Sequence, residues 1–277
     1  MLMEGLGRRA LSPGSVVRAR TPLYAGPATG RQPWARSLRT ASADPATFTL
    51  ASVPDFPDSR FDLGTPEGRK RARHDLMWVD HGFLRVMFQN LHWISPEMAR
   101  ANQPSPEHVR RYAAMGIKTI INLRGVNDSG QYHLEREACL AEGIALVDFP
   151  VRSRDVPTVE QIFRAKEIFE TVQYPALMHC KSGADRAGLM GVLYKHFRLG
   201  IPIAEAIEQL SLKYLHVRQG KTGMIDFFFD SYLADNALEP TPFEQWVREK
   251  YDYKTQREKF MGQWWANILV DKILRRE

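Results

Sequence analysis

The sequence predicts an α/β fold: a central, mostly parallel sheet of four or five strands flanked by helices, with extra helices at the C-terminal end. Three observations lead there. From about residue 80, short β-branched or apolar runs alternate with longer stretches of helical period. The helical stretches between runs are long enough for crossovers, which parallel strands require. After Gly200 the pattern is helical only.

Taken in order, residues 83–87 and 91–99 read as short edge strands. Residues 104–115 read as a helix opened by Ser105-Pro106-Glu107, a hydroxyl cap followed by a proline whose missing N–H costs nothing in a first turn. Residues 117–123 have the β-branched density of a buried strand. A helix over 131–142 is closed by Gly143, and 144–151 is the next strand. Thr158 caps a helix over 158–171; residues 175–180 form a strand and 184–197 a helix. Beyond Gly200, helices are expected over 203–214, 223–234, 243–251 and from about Lys254 onwards.

The chain has 277 residues, with 38 Lys+Arg against 32 Asp+Glu and a formal charge of +6. Residues 1–43 hold seven Arg, no Lys and one acid, Glu4, so they carry the whole excess and the remainder is balanced. The basic character therefore describes an N-terminal extension, and no nucleic-acid partner is expected. Residues 1–60 are rich in Pro, Gly, Ala, Ser and Arg without apolar period and read as a disordered or loosely attached extension. The same composition fits a mitochondrial transit segment or an extension with no address. Residues 80–235 are expected to form the main domain and 236–277 a helical extension packed on it.

No run approaches the roughly 18 apolar residues that span a bilayer, and Gly, Pro, Ser and Arg interrupt every N-terminal candidate for a secretory leader. The expectation is a soluble, cytoplasmic protein, with mitochondrial or peripheral-membrane location as alternatives. Two cysteines, Cys139 and Cys180, and eight histidines without ligand spacing argue against a disulfide framework or a zinc site. No metal and no cofactor are expected.

Chemistry concentrates in residues 175–189, PALMHCKSGADRAGL: a strand, a tight polar loop and the start of an apolar helix. In such a setting loop amides and a helix N-terminus converge on one point and favour an anion or a thiolate. Cys180 stands there, so its thiol pKa is expected to fall and its sulfur to act as a nucleophile. Arg186 returns across the loop, where its planar fork can hold two phosphate oxygens. Gly183 permits the tight turn, Ser182 and Ala184 contribute backbone, and Lys181 and Asp185 line the rim. For Lys181, contact with a second phosphate and simple solvation both stay open.

His179-Cys180, five residues, Arg186 and then Gly188, in a strand-loop-helix context, resembles the signature of the cysteine-dependent protein tyrosine phosphatase superfamily. With residues 100–107 and 117–124 included, the resemblance extends over about 80–235 and is closest to the compact, dual-specificity-like bacterial phosphatases. It implies a dual-specificity-phosphatase-like sheet and metal-independent hydrolysis of phosphomonoesters through a cysteinyl phosphate. It also implies that His179 orders the loop and that an upstream aspartate supplies a general acid. Asp148 and Asp155 compete for that role: Asp148 lies within an apolar strand, whereas Asp155 lies in the polar loop 152–157, which can move over substrate, and is preferred. The sequence departs from the family at Ala187, where a Ser or Thr hydroxyl usually assists release of the sulfur, so slow breakdown of the intermediate is expected. A phosphate-binding pseudo-phosphatase is the alternative.

Expected partners are a phosphorylated protein, by phosphotyrosine or dual specificity, or a phosphorylated inositol, sugar or lipid. Gly220-Lys221-Thr222 lacks the preceding glycine and strand of a nucleotide-binding loop and is rejected. Cys139 is expected to be a buried, inert thiol. The final helix carries Phe260, Met261, Trp264, Trp265, Ile268, Leu269 and Ile273 at spacings of three and four. That stripe is expected to pack on its own domain; weak membrane-surface contact is the alternative.

Overall fold

Helix-periodic and β-branched segments alternate in the computed structural model much as in the sequence, and they build a five-stranded sheet of order β1-β2-β5-β3-β4. The structure describes residue 56 and residues 59–274, without the side chains of 86, 87, 221 and 266–274. The expectation for residues 1–60 therefore lies almost wholly outside the described residues, as do those for the side chains of Ile268, Leu269 and Ile273.

Strand β1 (His92–Ser95) and β2 (Met98–Asn102) form an antiparallel hairpin, where a single strand over 91–99 was expected; the turn falls at Pro96-Glu97, and proline cannot donate to a ladder. β2, β5 (Ala176–Cys180), β3 (Thr119–Asn122) and β4 (Ala145–Asp148) are parallel. Alternation along β5 separates two cores. Ala176, Met178 and Cys180 face one core with α5 (Val159–Thr171), α6 (Asp185–Leu199), α8 (Met224–Leu238) and α9 (Phe243–Glu249). Leu177 faces the other, with α3 (Pro106–Ala114) and α4 (Gly130–Ala141). Cys139 belongs to the second core, where burial pushes its thiol pKa up, so the two cysteines sit on opposite faces of the sheet.

The helix caps are as the sequence implies: Ser105 forms a reciprocal capping box with His108, and Thr158 one with Gln161. Two local expectations fail. Residues 83–87 lie in helix α2 (Gly82–Met87), following α1 (Pro66–His74) and a wide π turn over Asp75–Val79, rather than in an edge strand. The run FLRVM was legible as either type, and Arg85, bound to Asp80 five residues back, closes it as a helix. The helix expected over 203–214 is only one turn, α7 (Ile203–Ala206), followed by two short 3-10 turns, because Leu215 takes the left-handed conformation (φ 63°) and the chain turns inward at His216. The long helix α10 (Tyr253–Leu274) lies against α8, with Phe260 beside Phe227 and Gln256 accepting from Ser231.

Residues 59–79, for which the sequence suggested no element, are fixed on α4. Phe61, Ala72 and Leu76 pack with Leu134, and Arg69 makes a two-pronged bond to Glu137 at 2.8 Å.

The parallel register places Asn102 beside Cys180, and Asn122 beside both His179 and Asp148. Polar residues thus line the carboxyl edge of the sheet where strand order reverses around β5, the usual place for a ligand crevice in such sheets.

Candidate active site

Cys180 ends β5 and is nearly inaccessible at 1 % exposure. The chain then turns through residues 181–184 into α6. Gly183 has φ 73°, and a Cβ there would meet the Ala101 carbonyl carbon at 2.7 Å and its oxygen at 2.8 Å. The loop is pressed against the backbone of β2, and only glycine fits.

Behind the loop lies Arg100, a residue singled out by neither composition nor period. It is completely buried on β2. One terminal nitrogen donates to the carbonyls of Gly183 and Ala184, both at 2.8 Å; the other donates to the Gln209 carbonyl at 2.7 Å and its side chain at 3.1 Å. The guanidinium also stacks 4.2 Å from the Tyr214 ring centre. Burial pulls its pKa down to about 10, opposed first by the charge of Cys180, so it remains a cation at neutral pH. A fixed positive charge thus holds two carbonyls of the loop that follows Cys180. The signal that could have found it is an arginine inside the otherwise small, apolar strand MARAN.

Arg186 is half-buried at the start of α6, and its Nε is buried without a protein hydrogen-bond partner. A buried guanidinium N–H left open at a loop of this kind matches a bound oxyanion. Ala187 is fully buried in the first core.

The other loop residues are engaged elsewhere. His179 has no exposure, and its Nε2 lies 2.6 Å from Glu135. Glu135 accepts from Gln103, Gln103 accepts from Arg124, and Arg124 donates two hydrogen bonds to the Asp80 carboxylate, both at 2.9 Å. Asp80 also binds Arg85 at 2.6 Å and lies 3.4 Å from the Lys181 ammonium, so Lys181 is ion-paired rather than simply solvated. Burial works to raise the Asp80 carboxyl, but the Arg124 hydrogen bond and the charges of Arg124, Arg85 and Lys181 outweigh it and hold it below the usual carboxylate range. The Ser182 carbonyl accepts from Asn90 at 3.0 Å, and the Ala184 N–H points to the Ser182 hydroxyl at 3.4 Å.

Asp185 accepts from or pairs with His216 Nδ1 at 2.8 Å, while Nε2 of the same ring meets Asp226 at 2.8 Å. Burial lowers the His216 pKa, but hydrogen bonds to the two aspartates and their charges overcome this and push it up to about 9. His216 is therefore a buried cation clamping the first turn of α6 to α8.

The two candidate acids differ in their surroundings. Asp148 ends β4, with one oxygen accepting from Asn122 at 2.7 Å and the other from Tyr132 at 2.8 Å; burial raises its carboxyl despite both bonds. Asp155 is 4 % exposed. It accepts from Tyr253 at 2.6 Å and from Arg152 at 3.3 Å and lies 3.5 Å from Arg257, so residues of α10 hold it. Tyr251 fixes the same loop by donating to the Pro157 carbonyl at 2.7 Å. The described contacts of Asp155 thus run to α10 and its own loop. Among the described residues no group of His, Cys, Asp and Glu is arranged to hold a metal.

A strand-ended cysteine, a glycine-tight loop and an arginine on the following helix agree with a family model described as PTP-NADK, a DSP-PTPase phosphatase fused to NAD+ kinase, which matches residues 94–223. Residues 94–223 thus resemble the dual-specificity-like branch of the cysteine-dependent protein tyrosine phosphatase superfamily. Similar solved structures include Tk-PTP in its active form, with 21% identity, 52% of this chain and 99% of that one covered, and a TM-score of 0.42. TpbA of P. aeruginosa has 19% identity over 62% and 90% of the two chains, at TM-score 0.41. Human DUSP28 has 14% identity over 52% and 95%, at 0.40. No curated protein matches the chain. Residues 56–93 and the helices after residue 223, which supply Asp80, Asn90, Asp226 and Tyr253, lie outside the matched segment.

Proposed function

We propose that this phosphatase-superfamily domain hydrolyses phosphomonoesters through a cysteinyl phosphate on Cys180. The observation that carries this reading is the placement of Cys180 and the open Arg186 Nε at the two ends of one loop, backed by the buried Arg100 cation. The Cys180 thiolate attacks phosphorus and the P–O bond to the leaving group breaks. The equatorial oxygens lie against Arg186 and the loop amides, and positioning plus charge stabilisation provides most of the rate. Asp155, released from Tyr253 and Arg257, gives a proton to the leaving oxygen. It then takes one from the water that cleaves the S–P bond, returning the thiolate and inorganic phosphate. His179 and Lys181 act through the order they impose on the loop.

Burial of Ala187 in the first core supports slow cleavage of the S–P bond, since that position has no hydroxyl to assist the departing sulfur. The same observation favours the second reading, a domain that binds phosphate with little turnover. Phosphate release from p-nitrophenyl phosphate tests the choice. The proposal expects release by the wild type and none by Cys180→Ser; no release by a wild type that still binds phosphate selects the second reading.

A further inference from the structure

Residues 75–90 precede the matched segment and run along the Cys180 loop. Their polar groups turn inward. Asp80 pairs with Lys181, Asn90 donates to the Ser182 carbonyl, and the Phe88 carbonyl accepts from Asn102, the register neighbour of Cys180. Leu76 is buried against Leu134, but four other large apolar side chains turn outward: Trp78 is 63 % exposed, Val79 60 %, Leu84 57 % and Phe88 56 %. Clustered exposure of this kind marks an interaction face.

A second group of exposed apolar side chains lies on a turn tied to the same stretch through Asn90. Leu212, Leu215 and Val217 are exposed on a turn that Asn90 ties down through the Tyr214 carbonyl and His216 ties down through Asp185. Exposed Lys213 stands on this turn, and exposed Lys181, paired with Asp80, on the loop itself. The chain also carries positive charge outside the folded domain. Residues 1–43 carry seven arginines and one acid, Glu4. Helix α10 is a weaker candidate for the same role, because Phe260 and Met261 are used against the first core and Trp264 meets Trp265 edge to face.

We propose that the face bordered by Trp78, Leu84 and Phe88 on one side and Leu212 and Leu215 on the other seats on an anionic lipid bilayer. Building on the phosphatase reading above, the substrate is then a phosphomonoester headgroup presented from that surface. Apolar side chains with an interfacial Trp, together with the positive charge that residues 1–43 carry in sequence, supply the two weak signals that together hold a protein at a membrane. Among the described residues no helix is long and apolar enough to cross one, so the protein lies on the bilayer.

The test is cosedimentation of the full chain with phosphatidylcholine vesicles, alone or with phosphatidylglycerol. It is paired with phosphate release from phosphatidylglycerol phosphate in the bilayer and from free glycerol phosphate. Binding is expected only to the anionic vesicles, weakening as salt is raised. Trp78→Asp with Leu84→Asp should weaken it at least tenfold while p-nitrophenyl phosphate turnover stays unchanged. Replacing the seven arginines of residues 1–43 by glutamine in the full chain should also weaken it and gives an independent arm that leaves the folded face intact. Wild type that sediments with neither vesicle, or binding indifferent to both variants, overturns the proposal; equal turnover of free and bilayer-held phosphate overturns its substrate half. Tight vesicle binding by a wild type that releases phosphate from nothing supports the face and refutes the phosphatase reading instead.

Discussion

His216 makes the phosphate loop's anchorage pH-dependent, with a defined sign. The ring sits 2.8 Å from both Asp185 and Asp226 at 2 % exposure, and its pKa is pushed up to about 9. An unfolded histidine titrates near 6.5. A folded pKa above the unfolded one contributes stability that is complete below pH 6.5 and is lost as pH rises through 9. At 1.36 kcal/mol per unit, the clamp is worth at most about 3 kcal/mol. Because Asp185 opens α6 next to Arg186, its release loosens the loop as well as the fold. The perturbation is His216→Gln, which fills the site and can bond one aspartate without supplying charge. The assay is urea unfolding from pH 6 to 10, with Cys180→Ser in both proteins so that the difference between them isolates His216. The wild-type advantage over the variant should approach about 3 kcal/mol at pH 6 and shrink towards zero by pH 10. A difference that stays constant over this range would refute the clamp.

Three further outcomes follow from the loop. Gly183→Ala must relieve a 2.7 Å contact with β2 backbone at a positive φ, so it should cost about 1–3 kcal/mol in thermal or urea unfolding and reduce turnover more than tenfold. Arg100→Met removes a buried cation and strands four acceptor contacts, and a loss of about 3–5 kcal/mol is expected, with weaker inhibition by inorganic phosphate. Asp155→Asn should lower kcat on phenyl phosphate by about 100-fold or more, with little effect on 2,4-dinitrophenyl phosphate, whose leaving group needs no proton. The same leaving-group pattern in Asp148→Asn, with Asp155→Asn inert, would assign the acid to Asp148.

Much of the sheet was legible because its signals are local. β-branched density marked β3, caps at Ser105 and Thr158 marked α3 and α5, and Cys180, Gly183 and Arg186 declared the loop by spacing alone. What escaped is non-local. Arg100 is one charged residue in a short strand, and its meaning comes from Gly183 and Gln209, about 83 and 109 positions away. Asp80 became part of the loop's surroundings only through Arg124 and Lys181, and His216 only through Asp185 and Asp226. Residues 59–79 have strong charge and weak apolar period; their four-residue core with Leu134 is too small to show in sequence. For Asp155 the sequence showed a polar loop but not that Tyr253, 98 residues on, would occupy its carboxylate.

The central claim is that Cys180 takes the phosphoryl group. Rapid mixing with p-nitrophenyl phosphate, acid quench and peptide mass spectrometry test it directly. A burst of p-nitrophenol equal to the enzyme present, with a phosphoryl adduct on the peptide bearing Cys180 and slower steady turnover thereafter, is predicted. Phosphate release without a burst, with the adduct absent and Cys180→Ser still active, would contradict it.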